Sequence, residues 1–348
     1  MTAPHVLRIL HLVGSPTDIR HVELSTLYAA GCIQALCQPA KYEFLIALVS
    51  PDGLWRFPQS LDSGAVAAAK PMALHTAVEL LVKARIDVAI PHMFCLAGMT
   101  QYRALLQMLG IAFVGNLPFQ MALTADKAKT KAVVSAAGVR VPRGKLLAIS
   151  ADRVQPTLAL PVVVKPNHSD NSDGVSLVTQ PGNYPAALEA AFACSPTVLV
   201  EEYVPLGREV RCAIVVQDGR LRHLPLEEYF VDSATRPVRT RAHKLARDSA
   251  GNLVLAAKQA SQAWIVDNND PIVAAVWDAA TQCHIALGCR HYSLFDFRID
   301  PAGVPWFLEA GLYCSFSPKS VIPTMMAAAG TPLTVFFDQA ILQVIGKP

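Results

Sequence analysis

The chain has 348 residues, 52% hydrophobic and 16% charged, with a formal charge of +3. That length and apolar content provide for two or three domains, while so small a charge, with no Lys/Arg run interleaved with aromatics, offers little to nucleic acid or an anionic membrane. No stretch approaches the ~18 unbroken apolar residues of a membrane span, the opening MTAPHVLRILHLVGS is too short in its apolar run for a secretory leader, and the eight cysteines show neither a CxxC pair nor His/Cys zinc spacing. The expectation is a cytoplasmic protein with reduced, structural thiols.

Residues 6–13, VLRILHLV, form an apolar run ending in Gly14-Ser15-Pro16-Thr17-Asp18, and a helical pattern follows around Leu24, Leu27, Tyr28 and Ile33. FLIALVS at 44–50, an amphipathic stretch near 73–85, IDVAIPHMF at 86–94, a helix near 99–109 and IAFVG at 111–115 continue the alternation. This predicts a Rossmann-like parallel α/β domain over 1–122, with its ligand side at the strand-end loops. A GxGxxG fingerprint is absent, so a nicotinamide-type reading has no support.

A new unit opens at Thr124-Ala125-Asp126-Lys127, where a helix N-cap signal and a Lys-rich helix with Gly138 as its stop lead to an extended VRVP. LPVVVKP (160–166) is a strand whose terminal Lys165 is expected to aim at an anion or an acid. The next loop, NHSDNSDGVSLV, is small and polar, and its backbone N–H groups and hydroxyls suit phosphate oxygens as well as solvent. A helix at 184–194 and the strand TVLVEEYV (197–204) complete a central unit over 123–204, with Glu201, Glu202 and Tyr203 at the passage into a third unit, 205–348.

In that third unit GREVRCAIVVQDGRLRHLPLEEY (207–229) reads as a hairpin around Asp218-Gly219, with Glu209 and Arg211 on one face and Val210 and Cys212 on the other. Residues 230–270 are polar, basic and poorly periodic, a loop predicted to act as a lid that excludes water. A helix at 271–288 leads to YSLFDFRIDPAGVPWFLEAGLY (292–313), two β-rich runs around the turn Asp300-Pro301-Ala302-Gly303. Pairing Ile299 with Val304 sets Phe295, Phe297, Ile299, Val304, Trp306 and Leu308 on a core face and Asp296, Arg298, Phe307 and Glu309 on the other. Asp296 and Glu309 are then diagonal neighbours whose oxygens converge on one hard cation such as Mg²⁺, unless they belong to a solvated polar face. Two helices, about 320–329 and 331–345, close the chain.

The ordered set of DK, VVVKP, a small polar loop ending in Gly, LVEEYV, GREV and DF…FLEA resembles the ATP-grasp superfamily in its D-alanine:D-alanine ligase branch, over about residues 6–345. The resemblance implies an ATP-grasp fold, α/β with an α+β C-terminal part, in three domains with ATP between the central and C-terminal ones. It also implies Mg²⁺, small-molecule substrates and a homodimer. Lys127 and Lys165, with Ser172 and Gly174 of the polar loop, would hold nucleotide phosphates, while Glu201, Glu202 and Val204 would read adenine and Glu209 would bind ribose. Asp296 and Glu309 would bind the metal. Lys244, Asn171 and Arg298 would serve the reaction, and Ser320, with Lys319 and Ser315, would take the carboxylate of the incoming amino acid.

Several positions depart from that branch. Gly311 stands where it has a third metal ligand, Leu294 where it has an Arg two before the Asp, Ile19 near its ammonium-binding acid, Asn171 for a loop Ser, and Leu245 for a lid Tyr. These changes fall at the first-substrate or reaction end. The phrases HLVGSP, SPDGLWRFP, CRHYSLFDFRIDP and FLEAGLYCSFSPKSV resemble the ligases of mycosporine-like amino acid biosynthesis, which belong to the same branch. That resemblance implies condensation of mycosporine-glycine with serine or threonine. A ligase joining two ordinary amino acids is the alternative, and a nucleotide-binding protein without turnover a further one, motivated by Gly311 and Leu294.

Overall fold

The computed structural model describes residues 6–149, 158–169, 172–239 and 262–346, and the backbone alone of 245–247 and 253–255. An apolar run flanked by apolar strands belongs in the middle of a parallel sheet, and VLRILHLV takes that place as β1 (Leu7–Gly14). It is followed by α1 (Ile19–Leu36), β2 (Tyr42–Val49), β3 (Trp55–Arg56), α2 (Ser63–Ala68), α3 (Leu74–Lys83) and β4 (Val88–Pro91). The sheet runs β3-β2-β1-β4, with β2 and β4 parallel to β1 and β3 antiparallel on the edge. The helix expected near 99–109 is a π-helical turn, Gly98–Tyr102, running into α4 (Arg103–Met108). The strand expected at 111–115 does not form. Only Phe113 bridges to Ala89, because Gly110 and Gly115 on either side adopt left-handed φ of 67° and 105° and break the extension.

The next sheet is antiparallel. After α5 (Pro118–Ala125) and α6 (Lys127–Ala136) come β5 (Gly144–Ala148), β6 (Val162–Pro166), β7 (Ser176–Val178), α7 (Tyr184–Phe192) and β8 (Thr197–Glu202), in the order β5-β8-β6-β7. Alternation decides its faces. Val162, Val164, Val198 and Val200 pack with Tyr184 and Leu188 of α7, which turns Val163, Lys165 and Glu201 the other way, toward a cleft.

The third sheet faces that cleft from the far side. Its strands are β9 (Arg208–Gln217), β10 (Arg220–His223) and β11 (Glu227–Tyr229), and then, past a separate two-stranded hairpin of β12 (Leu245–Arg247) and β13 (Leu253–Leu255), β14 (Ala263–Ile265). After α8 (Val273–Ala286) come β15 (Tyr292–Ile299) and β16 (Pro305–Ala310), giving the order β14-β11-β9-β15-β16 with β10 beside β9. The stretch expected to be a long loop, 230–270, therefore contributes an edge strand and a hairpin.

The hairpin register differs from the expected one. Asp300 pairs with Val304 across a three-residue loop in which Gly303 has φ +82°, and Phe297 then lies opposite Phe307. A bulge between Asp296 and Phe297 shifts the ladder again, so Asp296 and Glu309 are direct partners and not diagonal ones. Phe307 thus joins Phe295 and Phe297 in the core against α8, whereas Leu308 turns to the cleft. Predicted faces were correct for Asp296, Arg298 and Glu309 and reversed for Phe307, Trp306 and Leu308.

The last helices, α9 (Val321–Ala328) and α10 (Leu333–Ile345), return to the first sheet. Met325, Phe336 and Phe337 share one apolar core with Ile9, Val88 and Ile90 of that sheet and with Ala213, Tyr292 and Leu294 of the third. Among the described residues no single helix is long and apolar enough to cross a membrane.

Candidate active site

A cleft open to solvent separates the second and third sheets. Of the residues expected to bind ATP and metal, Lys127, Lys165, Ser172, Glu201, Glu202, Val204, Glu209, Asp296 and Glu309 line it, and so does Arg298, expected to serve the reaction. Gly174 sits in the same loop, between the lining residues Asp173 and Val175. Lys244 and Asn171 lie outside the described residues.

The cationic wall is built by α6 and β6. Asp126 caps α6, accepting from the Lys129 amide at 3.0 Å and from Asn167 Nδ2 at 2.9 Å, and this sets Lys127 at the first helical position. Lys127 Nζ donates to the Ser169 carbonyl at 2.5 Å and stands 3.6 Å from Glu309. Lys165 meets Glu201 at 2.5 Å, fulfilling the expectation that it aims at an acid. The other oxygen of Glu201 is 2.8 Å from Lys131, a residue the sequence reading passed over although it follows Lys127 by one helical turn. Burial lowers the Lys131 ammonium to about 8 despite Glu201, and although burial alone would raise the Glu201 carboxyl, Lys131 and Lys165 hold it below the ordinary value. The Glu201 side chain is therefore an anchor for two ammonium groups. Glu202 is half-buried and pairs with Arg143 at 3.0 Å.

Arg298 also has a holding function. It is 3% exposed, donates to Glu209, to the Val204 carbonyl at 3.2 Å and to the Pro237 carbonyl at 2.8 Å, and lies over the Tyr203 ring at 5.0 Å. The same guanidinium thus fixes the acid and the strand end that form one wall of the cleft.

Asp296 and Glu309, paired across β15 and β16, are partly buried oxygen donors that fit a hard divalent cation with coordination positions left open to the cleft. A Cβ at position 311 would rest in ordinary van der Waals contact with the Tyr313 ring, at 3.8–3.9 Å, so the backbone there leaves room for a side chain that Gly311 does not supply. Asp296 is gripped by Arg211, whose Nε and Nη2 reach its two oxygens at 2.7 and 3.2 Å. Arg211 was assigned a face by its alternation with Val210, but nothing in the sequence marked its partner.

The residues proposed for the incoming amino acid lie on the segment between β16 and α9, outside the cleft lining. Ser320 precedes α9 without capping it, its hydroxyl donating to the Ser317 carbonyl at 2.7 Å. Ser315 is buried, its Oγ accepting from the Ser317 amide, and Lys319 is exposed. At the first-sheet end of the site, Asp18 caps α1 and pairs with His21 at 2.7 Å, so its carboxylate serves its own helix.

Comparisons with known proteins agree with this geometry. The family model "D-ala D-ala ligase C-terminus" matches residues 145–342. A D-alanine–D-alanine ligase of Caulobacter sp. (strain K31) is 32% identical over 253 residues, 70% of this chain and 71% of that protein. Among solved structures, the VanG D-Ala:D-Ser ligase of Enterococcus faecalis superposes with a TM-score of 0.77 at 21% identity, covering 97% of this chain and 99% of that one. The Bacillus anthracis D-alanine–D-alanine ligase complexed with ATP gives 0.71 at 20% identity, with coverages of 98% and 97%. The chain therefore belongs to the D-alanine–D-alanine ligase family and is an ADP-forming ligase of the ATP-grasp fold that uses ATP with Mg²⁺.

Proposed function

We propose that the chain condenses mycosporine-glycine with an amino acid of the serine or threonine type to give an imino-mycosporine such as shinorine or porphyra-334, releasing ADP and phosphate. One observation carries the choice of a ring-bearing acceptor. Ile19 stands where the branch has its ammonium-binding acid, and the first-sheet side carries an aromatic cluster in which Tyr28 and Phe94 are in edge-on contact at 5.3 Å and Phe94 meets Tyr313 at the same distance. An aromatic wall suits a flat conjugated ring, whereas the ammonium of D-alanine needs an anionic partner once it is desolvated.

In this reading Lys127 and Lys165 hold nucleotide phosphates, and Glu201 fixes Lys165 in position. Glu209, held by Arg298, takes the ribose. Lys244 and Asn171 serve the reaction, and Ser320 with Lys319 receives the amino acid's carboxylate near the start of α9. The ring ketone oxygen, enriched by its vinylogous nitrogen, forms a bond to the γ-phosphorus as the bond to ADP breaks. The amine of the second substrate then adds to the activated carbon, phosphate leaves, and loss of a proton from nitrogen gives the C=N bond. Mg²⁺ held by Asp296 and Glu309 would neutralise phosphate charge.

The names of the matched relatives back a second reading more directly, a ligase joining D-alanine to D-alanine or to another small acceptor. ADP release separates the two. With serine present, mycosporine-glycine should exceed D-alanine as acceptor by at least about 100-fold in kcat/KM, the cost of one unpaired buried charge being several kcal/mol. The reverse preference would establish the second reading.

A further inference from the structure

Leu294 leaves β15 without a basic side chain two positions before Asp296, and the neighbouring strand carries one. Arg211 of β9 is the direct partner of Asp296, and Ala213 that of Leu294, so Arg211 and Leu294 are diagonal neighbours on one face of the sheet. Side chains at such diagonal positions on one sheet face lie within reach of each other.

The Arg211 guanidinium is held on three sides. It grips Asp296 at 2.7 and 3.2 Å, its Nη1 donates to the Tyr229 hydroxyl at 3.2 Å, and that hydroxyl donates in turn to Glu227, the partner of Arg211 on β11. The Tyr229 ring lies 5.2 Å from Arg211 and 3.5 Å from Arg239, which lines the cleft. Tyr28 of α1 interacts electrostatically with both Arg211 and Glu227. Arg211 therefore stands beside Asp296, which lines the cleft, and within electrostatic reach of Tyr28.

We propose that Arg211, supplied from β9 in place of the β15 position held by Leu294, is the guanidinium that binds the oxygens of the phosphoryl group in transit to the acceptor. This rests on the reading of the cleft as the ATP site and not on the identity of the acceptor. During transfer the acceptor oxygen bonds to phosphorus as the bridging oxygen leaves with ADP, and Arg211 donates hydrogen bonds to the non-bridging oxygens without giving up a proton. A cation held by Asp296 would weaken the bidentate pair and leave Arg211 donors for those oxygens.

The alternative is that Arg211 only holds Asp296 in place for the metal, and the two roles predict opposite metal dependence. The test is a Mg²⁺ titration of turnover and of ATP affinity in the parent, Arg211→Gln and Arg211→Lys. If Arg211 binds the phosphoryl group, kcat of Arg211→Gln falls at least about 100-fold even at saturating Mg²⁺. The half-saturating Mg²⁺ concentration stays level or drops, because a competitor for Asp296 has gone, and ATP affinity holds within threefold. A higher Mg²⁺ requirement with kcat recovering to within threefold at saturation overturns the proposal. Should Arg211→Gln fail to fold, Arg211→Lys, which keeps the charge on Asp296 but loses the two-pronged donor, is scored by the same criterion. Turnover is read with whichever acceptor the parent uses, or as slow ATP hydrolysis if it uses neither, so a wrong acceptor shows in the parent alone.

Discussion

A carboxylate set between two ammonium groups fixes both, and Glu201 does this for Lys165 and Lys131 in nearly complete burial. Replacing one partner of a buried pair leaves the other charge uncompensated. Glu201→Gln should therefore cost about 3 kcal/mol in a denaturant titration and weaken ATP binding, since Lys165 loses its orientation. Unchanged stability would show that the ion pairs are incidental. At the metal, Asp296→Asn and Glu309→Gln should each reduce turnover at least about 100-fold, Asp296→Asn with a lowered melting temperature because Arg211 loses its partner, and activity within about threefold of the parent would contradict the assignment. Lys165 was legible because a lysine ending a valine strand has few uses other than meeting an anion. Lys131 was not, because a Lys-rich helix gives several candidates and only packing selects the face: Lys129 is exposed and pairs with its own cap, Asp126, at 3.0 Å.

Strands and helices of the second and third sheets were mostly legible, since alternation and cap chemistry are local. The register of the β15–β16 hairpin was not. A bulge inserts one residue without disturbing the apolar pattern when the neighbours, Phe307 and Leu308, are both apolar, so composition does not report the slip. The turn itself depends on Gly303 at φ +82°, a conformation that strains any L side chain. Gly303→Ala should lower stability by about 1 kcal/mol in thermal melting and leave ATP affinity unchanged, because the loop lies at the hairpin end away from the acids. A loss of ATP affinity would mean that the register of Asp296 against Glu309 is set by the turn.

On the scale of the whole molecule, the first and third of the sheets predicted as successive units share apolar contacts that no local pattern announces: α9 and α10 close the first sheet, and the third sheet supplies Tyr292 and Leu294 to the same core. Buried imidazoles lie at both ends of this arrangement. Burial lowers His11 of β1 from the ordinary 6.5 to about 3 and His284 of α8 to about 4. The unfolded chain takes up these protons first as pH falls. The stability associated with the neutral rings is thus fully present above about pH 6.5 and is lost on acidification, at up to about 1.4 kcal/mol per pH unit for each group. Denaturant midpoints should fall between pH 6.5 and 4.5, and a flat profile would contradict the burial of these rings. The central claim, that a ring ketone oxygen is activated by ATP and displaced by an amine, is tested most directly by isotope transfer. Mycosporine-glycine labelled with ¹⁸O at the ketone should, with serine and ATP, release phosphate carrying one ¹⁸O per turnover alongside an imine absorbing at longer wavelength. Unlabelled phosphate, or ADP release that requires only D-alanine, would contradict the account.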